Sequence, residues 1–351
     1  MHGCADLPFV PEHGAKGKEH DDVHIVFDLG TSTFRAAVPG QGEWISEPSV
    51  VAFDEAGRCM VGAEAAEMIG RNPQVVRVVR PIQAGAVADF DAVVQLMQRQ
   101  MARLSSAGWR RRCTVTLSIP AELTQVERKA LAEAATAAGA KQVEFMEACV
   151  AAAIGTELPI GEPTGCFVVN LGAGITEAAI LSMGGIVNYQ FMQFGGAAID
   201  AALMERLKKE YGFLIGQLSA ERLKRACSTR DDGMAELVVK GRNLSTGLPD
   251  QRQVPVSLVH EQLDAYADMV VDLMVQTLTS CLPELVGDIM DRGIVLVGGG
   301  AECPRLVERL KHRTEVPMVV ADNPLDCVIR GLQQHRPRRS IAGWKRALGW
   351  K

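Results

Sequence analysis

No stretch of this 351-residue chain reaches the ~18 consecutive apolar side chains that a membrane span requires. The opening residues carry His2, His13, His20 and scattered charge where a secretion signal would have an apolar core. An integral or exported protein is therefore not expected. Residues 1–22 show no periodicity and read as a flexible leader. The nine cysteines are odd in number and include no Cys-x-x-Cys pair or zinc-like spacing, which argues for reduced thiols in a cytoplasmic protein. Most lie in apolar runs such as 165–169, where a free thiol acts as a small hydrophobe. A surplus of positive charge is also missing. The formal net charge of -5 excludes a whole-surface nucleic-acid binder, although it leaves room for a local basic patch.

What is present fits an α/β protein with two substantial cores, at 47% hydrophobic and 23% charged residues. The apolar run 23–27 ends at Asp28-Leu29-Gly30-Thr31, and apolar residues resume after Arg35: a strand, a tight glycine turn and a returning strand. The pattern recurs at 166–170, with the turn Leu171-Gly172-Ala173-Gly174 and a return at 178–181. Between the two copies, 114–119 reads as a buried strand. A helix over 124–138 follows, opened by the capping-box spacing of Thr124 and Glu127. Helices are expected near 200–211 and 220–227, and polar-alternating strands around 238–256. One long amphipathic run is expected from 262 to about 290. The run Ile294-Val295-Leu296-Val297 then meets Gly298-Gly299-Gly300 before a helix at 304–313, a junction that presents free backbone N–H groups to an anion. A strand ending at Val320 and a helix from Pro324 onward complete a duplicated plan.

A single Asp-x-Gly-Thr is weak evidence, but three glycine turns in order, each at a strand end, are not. Two such hairpins facing each other can clasp a phosphate chain, because glycines let backbone amides approach its oxygens, and the third turn lies where an adenosine would rest. At this point the sequence resembles the actin, heat-shock ATPase and sugar-kinase superfamily. Within it the resemblance is to the MreB branch, over about 23–334. Beyond the glycines it is carried by Glu47-Pro48-Ser49-Val50, Arg80-Pro81-Ile82, Ala88-Asp89-Phe90, Thr124-Gln125-Val126-Glu127, Ala151-Ala152-Ala153-Ile154-Gly155, Gly241-Arg242-Asn243-Leu244 and Asp322-Asn323-Pro324-Leu325, in that order.

The resemblance implies an actin-like, ribonuclease H-like duplicated two-domain fold, with four subdomains around a nucleotide cleft. Domain I would span 23–157 with a small insertion at about 52–100. Domain II would span 158–325 with an insertion at about 212–260, and 326–335 would return to domain I. It implies ATP or ADP with Mg²⁺ as ligands. Asp28, Gly30, Thr31, Ser32 and Thr33 would form the first phosphate loop, with Asp28 holding the metal through water, and Gly172, Ala173, Gly174, Ile175 and Thr176 the second. Glu221, Arg222 and Lys224 would contact the adenosine, and Gly298, Gly299, Gly300 and Ala301 would form the adenine-side turn. Without the surrounding match, 221–224 reads rather as a solvated helix face.

The chain departs from the pattern at positions the resemblance ties to hydrolysis. Ala148 stands where the family has a glutamate that helps place the attacking water, an effect worth ~10²–10⁴ in rate. Asn170 replaces an aspartate and Ile175 a threonine of the second loop. Phe34 replaces a threonine of the first, and Ala197 an acid in a Gly-Gly-Asp turn. Binding retained with hydrolysis slow or absent is the expectation, with Glu147 or Glu177 as candidate substitutes for the missing carboxylate.

The implied partners are further copies of the chain in a filament, an anionic membrane surface, and possible association with a paralogue and wall-synthesis membrane proteins; no nucleic acid is expected. The stretch 336–351 holds six basic and no acidic residues, with Trp344 and Trp350, and at helical spacing Ile341, Trp344 and Leu348 share a face. That composition suits peripheral attachment to the inner face of the cytoplasmic membrane. Trp109, followed by three arginines, has two readings, a membrane-inserting loop or a ring packed on its own subdomain. Three functions stay open: a shape-determining filament protein, a non-polymerising membrane adaptor, and a small-molecule kinase, against which Asn170 and Ile175 count.

Overall fold

The computed structural model describes residues 23–105, 113–228 and 236–334. Trp109, the leader 1–22 and the membrane candidates Ile341, Trp344, Leu348 and Trp350 lie outside them.

Two five-stranded sheets share one plan. In the first, Val23–Leu29 is central: Thr33–Ala37 and then Trp44–Pro48 lie antiparallel on one side, and Cys113–Ile119 and then Gln142–Glu147 parallel on the other. In the second, Cys166–Leu171 is central. Thr176–Ser182 and Gly185–Met192 are antiparallel on one side, and Ile294–Val297 and Met318–Val320 parallel on the other. Both central strands are apolar runs covered on both faces, so they are continuous in Val, Ile and Phe rather than alternating.

The first sheet packs Ile25, Phe27 and Leu117 against Val93, Leu96 and Met97 of helix Phe90–Leu104 and against Leu131 of helix Gln125–Ala138. The capping box forms as expected: the Thr124 hydroxyl accepts from the Glu127 amide, and the Glu127 carboxylate accepts from the Thr124 amide. A small sheet, Val51–Phe53 with Cys59–Val61 and Arg77–Val79, has its own cluster around Val50, Ala52 and Ala65. The second large sheet carries a comparable addition, Phe213–Leu214 with Glu236–Asn243 and Pro249–Pro255.

Two elements differ from expectation. The run expected over 262–290 is two helices, Val256–Thr279 and Pro283–Arg292. Pro283 cannot donate an amide to a preceding turn, and it holds Leu282 extended, so a new helix starts there. The first of these helices also begins at Val256, where the strand pattern was expected to end, because Val256, Val259 and Leu263 bury one face at helical spacing. In addition, the helix expected near 200 opens at Gly196.

The two sheets meet through helices Ala148–Gly155 and Cys327–Gln334, whose Ala152, Ala153, Val328 and Ile329 share a cluster with Val26 of the first sheet and Val168 of the second. The helices touch at backbone level. A Cβ on Gly155 would overlap the Cys327 carbonyl, and one on Gly331 would overlap that of Ala151.

Candidate functional site

The central strands of both sheets and Ile294–Val297 run out into one cleft of about 430 Å³, within the range of small-molecule sites. Its walls include Asp28, Gly30, Thr31, Ser32, Thr33, Asn170, Gly172, Ala173, Gly174, Ile175, Glu221, Lys224, Gly298, Gly299 and Gly300. The cleft thus brings together residues from four distant parts of the sequence.

The two hairpin turns have the same geometry. A Cβ on Gly30 would lie 2.5 Å from the Thr33 carbonyl oxygen, and one on Gly172 would lie 2.5 Å from that of Ile175. No side chain fits there, so both turns close only with glycine. The tips also approach each other, since a Cβ on Gly174 would overlap the Thr31 hydroxyl. At the third turn Gly298 has φ +82°, and a Cβ would come within 2.6 Å of Asn170 Oδ1. The start of helix Gly196–Tyr211 is tied to the second loop: the Gly196 and Ala197 amides donate to the Gly172 and Ala173 carbonyls. Lys224 braces the same place, with Nζ 2.7 Å from Asp200 Oδ1 and donating to the Gly196 carbonyl at 2.6 Å.

Asp28 pairs with Arg35 directly across the hairpin. Arg35 is 5% exposed. It donates from Nε to Asp326 Oδ1 at 2.9 Å, and its Nη1 is 3.7 Å from Asp28 Oδ2. Ser118 Oγ donates to the other Asp28 oxygen at 2.8 Å. Burial nevertheless raises the Asp28 carboxyl above its ordinary 3.8, against the opposing pull of Arg35 and Ser118.

On the facing strand, Asn170 Nδ2 donates to Glu177 Oε2 at 2.9 Å and the Tyr189 hydroxyl to Glu177 Oε1 at 2.8 Å. Glu177 is 1% exposed. Burial pushes it up to about 7, helped by the charge of Asp28 and opposed by its two donors. Of the expected catalytic positions, Ala148 and Ile175 present apolar side chains and Asn170 an amide, while Glu177, a candidate substitute, also lines the cleft. Ile175 and Pro120 flank Gly85.

Several expected residues sit elsewhere. Phe34, expected on the chemical side, is fully buried in the core of the first sheet, because its position in the strand points away from the cleft. Thr176 turns inward, donating to the Phe194 carbonyl at 2.7 Å and lying 2.6 Å from the Tyr266 hydroxyl. Arg222 is exposed, Ala301 is buried in the second core, and Glu147 is absent from the cleft wall, whereas Ala197 lines it. Arg35, Arg80, Ser118 and Tyr266 also line the cleft. Sequence reasoning missed them as site residues, and only Arg80, within a matched segment, carried a signal.

A model of the MreB/Mbl protein family matches residues 22–340. The chain belongs to the MreB/Mbl family. It is 38% identical over 325 residues to the cell shape-determining protein MreB of Escherichia coli, covering 90% of this chain and 93% of that one. Among solved structures it resembles MreB5 of Spiroplasma citri bound to AMPPNP, with TM-score 0.83 and 29% identity over 90% of this chain and 96% of that one; the same protein is also known bound to ADP. The MamK double helical filament subunit, 19% identical, shares the fold with TM-score 0.74, covering 90% of this chain and all of that one. The architecture is therefore actin-like, as the duplicated sheets imply.

Proposed function

We propose that this MreB/Mbl family member binds ATP or ADP in the cleft, polymerises into filaments at the inner face of the cytoplasmic membrane, and acts in cell shape or wall synthesis with impaired hydrolysis. The observation that carries nucleotide binding is the matched pair of glycine turns, each closing only with glycine, whose tips approach each other and both line the cleft. The nucleotide-bound MreB5 structures support the same reading. Self-association is supported by family membership, and the fold is one that MamK uses in a double helical filament.

Binding and turnover are separable here. Hydrolysis needs a water held in line and a group to take its proton. The wall offered by Ala148 and Ile175 has neither a carboxylate nor a hydroxyl, and both oxygens of Glu177, which also lines the cleft, already accept hydrogen bonds from Asn170 and Tyr189. The Mg²⁺ expected at Asp28 does not fit the donor set well either, since one Asp28 oxygen accepts from Ser118, the other faces Arg35, and the facing strand presents the amide of Asn170.

Electron microscopy of the purified full chain with and without ATP tests the filament reading. Nucleotide-dependent filaments are the expected outcome, and a monomer under both conditions at concentrations that saturate the cleft would refute it in favour of an adaptor.

A further inference from the structure

We infer that Arg35 brings to a bound nucleotide's phosphates the positive charge that a divalent cation would otherwise supply, so that this cleft holds nucleoside di- or triphosphate without metal. The inference rests on the nucleotide reading above and goes beyond it by assigning the counter-ion.

Arg35 and Asp28 are direct partners in the first hairpin, so the guanidinium is delivered to the foot of the first phosphate turn by the same register that delivers the carboxylate. Arg35 is nearly fully buried yet lines the cleft. A guanidinium does not lose its proton inside a protein, so a full positive charge sits there permanently. Its orientation is fixed by Asp326 through Nε, at 2.9 Å, and by Asp28 beyond Nη1, at 3.7 Å. Among the described residues none accepts from Nη2. A planar fork with donors to spare is the geometry that binds phosphate oxygens two at a time.

The same placement works against magnesium. That ion requires near-ideal octahedral oxygen ligands, keeps several waters and relies on one or two carboxylates. Asp28 accepts a hydrogen bond from Ser118 on one oxygen and faces a fixed cation on the other. Across the cleft, Asn170 turns its amide onto Glu177, and that carboxylate is already bridged by Asn170 and Tyr189. A divalent cation at Asp28 would have to share the carboxylate with an arginine that cannot leave.

Isothermal titration calorimetry of the full chain with ADP, in magnesium buffer and again in EDTA, tests this directly on the unmodified protein. The expected dissociation constants agree within about threefold, and a loss of about tenfold or more in EDTA would overturn the inference. Absence of binding in both buffers would instead overturn the nucleotide reading, and the inference with it. In Arg35→Leu, checked for folding by circular dichroism, affinity in EDTA should drop by about tenfold and recover when magnesium is added. Unchanged affinity of this variant in EDTA would again overturn it. If the variant does not fold, because Asp28 and Asp326 are left buried without a partner, the chelator comparison on the parent chain still decides.

Discussion

Asn170 gives its side-chain amide to the carboxylate of Glu177 at 2.9 Å, so the residue expected to stand in for a family aspartate serves as a hydrogen-bond donor to a buried acid. An aspartate at 170 would set two carboxylates against each other, with Asp28 nearby as a third.

A pH dependence follows. Glu177 titrates near its ordinary 4.5 when the chain is unfolded and at about 7 in the fold. Below the first value both states hold the proton, and above the second both have released it. Between them only the folded state keeps it, so this group's contribution to stability is full at low pH and is lost as pH rises towards 7. The loss is on the order of 3 kcal/mol at most. Urea denaturation of the parent and of Glu177→Gln at about pH 5 and pH 8 should show the variant gaining relative to the parent at the higher pH. A difference that does not change with pH would contradict the assignment.

Phosphate release should respond to restored chemistry. Ala148→Glu combined with Asn170→Asp and Ile175→Thr is expected to raise single-turnover hydrolysis by about 10² or more, since it returns a carboxylate and a hydroxyl to the apolar wall. Brisk hydrolysis by the unmodified chain would refute the impaired cleft outright.

Gly174→Ala should weaken nucleotide binding while leaving the fold intact. The new methyl meets the Thr31 hydroxyl and lies 3.0 Å from the Ala84 amide nitrogen, so the hairpin tips must separate. Overpacking of this kind costs ~1–3 kcal/mol, and because it falls on the binding geometry a fluorescent ATP analogue should lose roughly tenfold in affinity. Unaltered affinity would mean that the tips do not act together.

Membrane attachment should depend on the C-terminal stretch. Each of its six basic residues contributes ~1 kcal/mol at an anionic surface, and two tryptophans add apolar burial. Truncation after His335 is expected to abolish most co-sedimentation with anionic liposomes, and added salt should weaken binding of the full chain. Equal pelleting of both forms would rule the tail out, whereas a large loss in Trp109→Ala alone would move the anchor to that residue.

The parts of the molecule legible in the sequence were those whose cause is local. A glycine turn at a strand end is fixed by its own neighbours, as at Gly30 and Gly172, and so is the Thr124–Glu127 cap. Family resemblance then supplied the actin-like plan. What stayed hidden depends on contacts between distant residues. Arg35 reads as one charge after a turn until Asp326, 291 residues away, comes alongside it. The direction of Phe34 and Thr176, inward rather than towards the cleft, is set by strand register and by Phe194 and Tyr266. The break at Pro283 was open to inspection, since proline favours an extended residue before it, but the amphipathic pattern on either side masked it.

The crossing of Gly155 and Gly331 bears on how the two halves can move. Where helices interlock through side chains, ridges seated in grooves resist rotation. Here Gly155 and Gly331 bring the two backbones into direct contact, with Ala152, Ala153, Val328 and Ile329 packed around them, so the joint withstands sliding and separation and any relative movement of the halves must pivot about it. It has the properties of an axle. A change of cleft contents would therefore appear as a swivel between the halves. If the chain polymerises as proposed, such swivels would add with every subunit, so the helical pitch of the polymer would report the nucleotide held inside it.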